Sequence, residues 1–267
     1  MWIMIIVWII LIIFIIHIEI ENALCIRQYH KYEKEEEEMA HTQASFLETI
    51  KPYVIEDMAR TQILASLTAS QAMIESRSGN SGLAVKGNNL FGIKGKYNGQ
   101  CVSMMTTEYY NGKACRVLAD FKKYPSWAES IADHSALFNK NSRYKNLRNC
   151  QDYEEACINV KKDGYATSPT YAQTLINTIK KKEFKLWMWD YDVLKHYTPD
   201  KLQTVKIGSD GGGVYLLQKL LIDNGHDIKA DGNFGPATDS AVRAYQEKHN
   251  LTVDGIVGPN TWRTIKK

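Results

Sequence analysis

The sequence predicts a mostly helical chain with one small antiparallel lobe, followed by a small all-helical module. Three observations carry that expectation. Ile63, Leu64, Leu67 and Ile74 recur at helical spacing through Arg60–Ser76 and share one face. Two strand-like runs, Cys101–Tyr110 and Lys113–Phe121, flank Asn111-Gly112, the dipeptide of a two-residue hairpin turn. Beyond residue 208 the pattern D-G-x-x-G-P-x-T occurs twice, at 231–238 and 254–261, each time at the start of a helical stretch. With 267 residues, 44% hydrophobic and 24% charged, the chain can bury two cores and is neither disordered nor fibrous.

The first forty residues admit two readings. Met1 to Ile16 are unbroken apolar, about 24 Å as a helix and short of a hydrocarbon core of roughly 30 Å. No Lys or Arg precedes the run, and Asn22-Ala23-Leu24-Cys25 is a poor cleavage or lipidation site. Arg27, Lys31 and Lys34 follow it, which places the rest of the chain on the cytoplasmic side. Residues 1–20 are thus a signal-anchor inserting through 1–16, with 21–43 a charged linker. Alternatively they extend a gene upstream of its start. Glu35 to Glu38, just before Met39, resemble a purine-rich ribosome-binding site translated in frame.

The net charge of +3 is unevenly spread. Residues 44–190 hold 20 basic against 14 acidic side chains, and 1–43 hold 3 against 7. A basic middle segment suits an acidic polymer. Zinc-finger spacing, an RNA-binding aromatic signature and a phosphate-binding Gly loop are all missing, so no nucleic-acid partner is expected. The five cysteines form no C-x-x-C pair and the seven histidines no H-E-x-x-H, so neither metal nor cofactor is expected. Cys150 and Cys157 either form a bridge or stay buried as thiols.

In chain order, Ser45-Phe46-Leu47-Glu48 reads as a capping box that opens a helix. Ser126-Trp127-Ala128-Glu129 and Asp152-Tyr153-Glu154-Glu155 read the same way, and Ser168-Pro169 opens another helix. Residues 191–207 carry Pro199 without strong periodicity and read as a linker, with Gly208 to Gly213 a flexible break. Three helices follow, centred on Leu217, Val242 and Trp262.

The chemistry concentrates around Glu75, at the end of an apolar helix. Gly79, Gly82, Gly87, Gly92 and Gly95 follow it and permit close approach of backbone to a ligand. A carboxyl facing a groove with apolar neighbours has a raised pKa and stays protonated. It can then serve as the general acid that breaks a glycosidic bond.

Four stretches carry a family resemblance: Gln71 to Ser76, Asn89-Leu90-Phe91-Gly92-Ile93-Lys94, Thr107-Glu108-Tyr109, and Gly164-Tyr165-Ala166-Thr167 with Tyr171-Ala172. Together they resemble family 73 glycoside hydrolases, bacterial and phage N-acetylglucosaminidases that cut peptidoglycan. The resemblance covers about 44–190. It implies a lysozyme-like α+β domain with a groove between a helical and a small β lobe. The bond cut is the β-1,4 linkage on the reducing side of N-acetylglucosamine. It makes Glu75 the general acid, Glu108 a second catalytic carboxylate and Tyr171 a catalytic tyrosine beside the acid. Asn89, Phe91, Gly92, Lys94 and Tyr165 become substrate-binding residues. Residues 208–267 resemble the three-helix peptidoglycan-binding domain appended to many wall hydrolases. The implied protein is a phage endolysin or bacterial autolysin acting at the cell wall. It is either anchored or secreted through residues 1–20, or made in the host cytoplasm from Met39 and released at lysis. Alternatives are a muramidase or lytic transglycosylase on the same glycan, and a non-catalytic wall-binding adaptor.

Overall fold

The computed structural model describes residues 40–267 apart from the turn at 111–112, together with His17, Glu19, Ile20 and Arg27. The side chains of 108–110 and 113 lie outside the described part. The anchor, linker and start-site expectations for residues 1–39 fall almost wholly outside it. Among the described residues no helix is long and apolar enough to cross a membrane.

Helix α1 (Gln43–Thr61) begins ahead of the expected capping box. Thr42 is the cap, its Oγ1 accepting from the Ser45 N–H at 3.1 Å. The single helix expected over Arg60–Ser76 is two. Gln62 turns left-handed at φ +63°, and α2 (Ala65–Ser76) begins three residues later. Ile63 and Leu64 continue the apolar pattern because the connection itself is buried.

α2 is the central helix, buried along almost its whole length. Its small residues Ala65, Ser66, Ala69, Ser70 and Ala72 let the neighbouring helices approach closely. Asp190 caps its first turn from a distance, accepting from the Ser66 N–H at 2.9 Å and the Ser66 hydroxyl at 2.6 Å. Burial raises the Asp190 carboxyl to about 7. At the other end Ser76 Oγ accepts from the Gly79 N–H at 2.7 Å. Gly79 has φ +84°, and a Cβ there would lie 2.7 Å from the Trp127 ring.

α3 (Gly82–Gly87) leads to the β lobe, in which β1 (Cys101–Tyr110) pairs antiparallel with β2 (Lys113–Lys122). The register runs from Cys101 opposite Lys122 to Tyr110 opposite Lys113, as the hairpin signal requires. The segment 93–95 runs beside β2: Lys122 N–H donates to Ile93 O, and Gly95 N–H to Asp120 O. α4 (Trp127–Lys140) starts at the expected Ser126 cap, and α5 (Tyr153–Lys162) at the expected Asp152 cap. α6 (Tyr171–Lys180) begins just past Ser168-Pro169. Cys150 and Cys157 are buried free thiols, and burial pushes Cys150 up to about 12.

The last three helices are α8 (Gly212–Asp223), α9 (Pro236–Lys248) and α10 (Pro259–Ile265), around Leu217, Phe234, Val242 and Trp262. The loop echo is a structural duplication built on two buried glutamines. Gln218 holds the Asp231 and Gly232 N–H groups, Asn233 O and Thr238 Oγ1. Gln246 makes the same bonds to Asp254, Gly255, Ile256 and Thr261. Neither glutamine was singled out by the sequence pattern. The first glycine of each loop is covered by a different neighbour. A Cβ on Gly232 would meet the Trp187 ring at 2.9 Å, and one on Gly255 would meet Arg243 Nη2 at 2.7 Å.

The expected linker is an ordered joint. Helix α7 (Trp187–Leu194) and a 3-10 turn at Pro199–Lys201 occupy it. Gln151 and Gln203 each accept from the other's backbone N–H, at 2.8 and 2.9 Å. Trp262 Nε1 donates to Gln203 O, and Val205 exchanges backbone bonds with Val257. The glycine run is not a flexible break either. A Cβ on Gly212 would lie 2.7 Å from Tyr191 N, and one on Gly211 would lie 3.0 Å from the Tyr153 ring. These glycines serve close packing of α8 on α7 and α5.

Candidate active site

Between the C-terminal end of α2, the 91–94 loop, α4 and the start of α6 lies a groove of about 900 Å³. Its walls include Ile74, Ile93, Leu137 and Tyr144, and its rim Thr167, Ser168 and Thr174. Glu75 is its one acid among the described lining residues. Glu75 is exposed toward the groove, with its carboxyl held by protein on the side of Tyr171. Burial raises its carboxyl pKa, and the bond from Tyr171 partly offsets the rise.

Tyr171, the first residue of α6, donates its hydroxyl to Glu75 Oε1 at 2.8 Å. Burial foremost, with Tyr165 and Glu75 adding, raises the phenol above its ordinary range, so it stays a donor. The sequence places Glu75 and Tyr171 96 residues apart, and packing of α6 on α2 joins them. Tyr165 stacks on Tyr171 at 6.0 Å between ring centroids and also lines the groove. Phe91 serves two masters: it faces the groove and stacks on His134 at 3.8 Å. His134 is fully buried, and burial lowers it to about 3, so the ring beneath Phe91 is neutral. Lys94 also lines the groove. Gly92 is exposed with φ +63° and supplies the turn between Phe91 and Lys94.

Asn89 does not take the expected place among ligand contacts. It is 1% exposed, and its amide is spent on its own fold. Nδ2 donates to Ile93 O and Lys122 O, and Oδ1 accepts from the Ile93 N–H. Asn89 therefore shapes the loop that carries Phe91 and Lys94, one layer behind the groove. Asn89→Ala is expected to cost about 2–3 kcal/mol, because it strands buried backbone groups. Urea unfolding measures that cost, and a loss below about 0.5 kcal/mol sinks this role. Glu108 sits on β1 opposite Cys115, and its side chain lies outside the described residues.

Tyr144 and Leu137 carried no sequence signal, since a residue in a 3-10 turn and one on an amphipathic helix read as core. Thr174 follows Tyr171 by three positions, so the helical period places both on one face.

The glucosaminidase family, described as mannosyl-glycoprotein endo-beta-N-acetylglucosaminidase, matches residues 51–184, half of the chain. The chain belongs to the glucosaminidase family. The matched stretch contains Glu75, the 89–94 loop, Glu108, Tyr165 and Tyr171. A putative peptidoglycan binding domain matches residues 210–265. Among curated relatives, the exo-glucosaminidase LytG of Bacillus subtilis is 37% identical over 153 residues, covering 55% of this chain and 54% of that protein. The autolysin of Enterococcus faecalis is 35% identical over 160 residues, 57% of this chain and 20% of that one. The chain thus spans about half the length of the first relative and less of the second. The catalytic domain of the Listeria monocytogenes autolysin Auto superposes with a TM-score of 0.52 at 31% identity, covering 60% of this chain and 96% of that domain. That match supports the lysozyme-like glucosaminidase fold with its β-hairpin lobe.

Proposed function

We propose that the chain is a peptidoglycan N-acetylglucosaminidase that cuts the β-1,4 bond on the reducing side of N-acetylglucosamine. The observation that carries this reading is the protonatable Glu75 carboxyl at the groove, with Tyr171 bound to its Oε1. Oε2, which has no hydrogen-bond partner among the described residues, is the oxygen from which a proton passes to the glycosidic oxygen as the C–O bond breaks. Positive charge then grows on the sugar ring. Glu108, the substrate's acetamido group or the Tyr171 oxygen stabilises it. A Glu108 carboxylate about 5–5.5 Å from Glu75 would fit retention, and one about 6.5–9.5 Å away inversion. Residues 44–190 do the cutting, 208–267 hold the wall polymer, and 191–207 join the two. The site of action is the bacterial cell wall.

The reading is tested by digesting borohydride-reduced peptidoglycan with the purified chain, then reducing again and identifying new ends by mass spectrometry. New reducing N-acetylglucosamine is the expected result. New reducing or anhydro N-acetylmuramic acid would transfer the protein to the muramidase or transglycosylase class. Product size separates two modes. Oligosaccharides mark endo cleavage, whereas single sugars mark the exo mode carried in the name of the Bacillus subtilis relative.

A further inference from the structure

Gln71 lies one helical turn before Glu75 on α2 and is fully buried. Its Nε2 donates to the Tyr171 hydroxyl oxygen at 3.1 Å, and that hydroxyl donates to Glu75 Oε1 at 2.8 Å. Among the described residues the Gln71 Oε1 has no hydrogen-bond partner, so the bond from Nε2 to Tyr171 is the amide's one anchor. A phenol has one proton to give. With an amide N–H on its oxygen, Tyr171 directs that proton to Glu75. Oε1 is thereby committed as an acceptor, and the acidic proton of Glu75 resides on Oε2, toward the groove.

Reversing the amide would reverse the chain of bonds. A carbonyl facing Tyr171 would draw the phenol proton away from Glu75. Glu75 would then donate from Oε1 to the phenol oxygen, with its proton turned into the wall and useless to a substrate. We infer that Gln71 is a positioning residue that sets which oxygen of Glu75 carries the acidic proton, acting through Tyr171. The inference rests on Glu75 being the general acid. It adds a third member, 100 residues from Tyr171 in sequence, to the pair already in contact. Donation by Gln71 also polarises the Tyr171 O–H, which strengthens the bond that stabilises ionised Glu75.

The test is a double-mutant cycle with two readouts, one of which needs no substrate. Gln71→Met keeps the volume and removes the donor. Its kcat on wall glycan is expected to fall about tenfold, with KM changed less than about twofold. The Glu75 carboxyl, titrated by carbon NMR in the ligand-free protein, is expected to rise by about 0.3 pH units, because the stabilising bond weakens. The alkaline limb of the rate profile should move upward with it. In a Tyr171→Phe background the same substitution should change neither quantity. Gln71→Glu serves as rescue. A neutral carboxylic acid at that place donates as the amide does, so activity should return at acid pH and vanish as the new group ionises.

A folded Gln71→Met with unchanged Glu75 titration and unchanged kcat overturns the inference. So does an equal effect of Gln71→Met with and without the Tyr171 hydroxyl. If the wild-type chain releases no glycan ends at all, the glucosaminidase reading fails by itself, and the NMR titration alone decides the relay.

Discussion

Glu75→Gln is expected to lower kcat on wall glycan by about 10³-fold, the share that a positioned general acid contributes. KM and stability should barely move. The amide is isosteric, still accepts from Tyr171 at the place of Oε1, and relieves a carboxyl whose ionised form burial disfavours. The pH profile supplies an independent check. A carboxyl raised by burial keeps its proton above the usual glutamate range, around pH 4.3, and loses it as pH rises further. Activity of the wild type should therefore fall along an alkaline limb set by that ionisation, and the residual activity of Glu75→Gln should lack this limb. A variant with wild-type turnover would remove Glu75 from the chemistry altogether.

Ending the chain after Ile207 is expected to lower stability by about 4 kcal/mol and Tm by about 10 °C. The cut exposes the Trp187 and Tyr191 faces of α7 and the Tyr153 ring on which Gly211 rests. It also removes the Trp262 bond to Gln203, the Val205–Val257 pairing and the Lys180–Asp210 ion pair. A merely tethered wall anchor would behave otherwise, leaving Tm unchanged and raising only the apparent KM on insoluble wall. Differential scanning calorimetry of the full and shortened chains separates the two. An unaltered Tm would show that the joint carries no stability.

Much of this architecture was legible in the residues. The hairpin bounds, the caps at Ser126 and Asp152 and the three terminal helices follow from local chemistry, and the structure keeps them. What failed depended on partners distant in sequence. Ile63 and Leu64 continue a helical apolar pattern, but the pattern reports burial and not backbone conformation, and Gln62 breaks the helix. Gly211 and Gly212 look like freedom in the sequence. They are small because Tyr153, Tyr191 and Asp190 press on them. At the site, the motifs single out Glu75 and Tyr171, and the fold brings them together. Asn89 belongs to the same motif as Phe91 and Lys94, and sequence cannot tell an amide aimed at a ligand from one that binds its own loop. Gln71 stood inside a recognised motif without a role, because its partner lies on another helix.

The twin loops of the last three helices differ in who supplies the lid. Arg243 on α9 covers Gly255 from within the module, whereas the cover of Gly232 is Trp187, borrowed from α7. The second loop leans on the joint as well, through the Val205–Val257 pairing and the Trp262 bond to Gln203. Grafted onto a foreign enzyme, residues 208–267 would arrive with Gly232 uncovered and Val257 parted from Val205. Moving this module productively requires a host that offers an aromatic side chain over Gly232 and a backbone partner for Val257. The portability of this module is thus a property of the pair, carried as much by the recipient as by the module that moves.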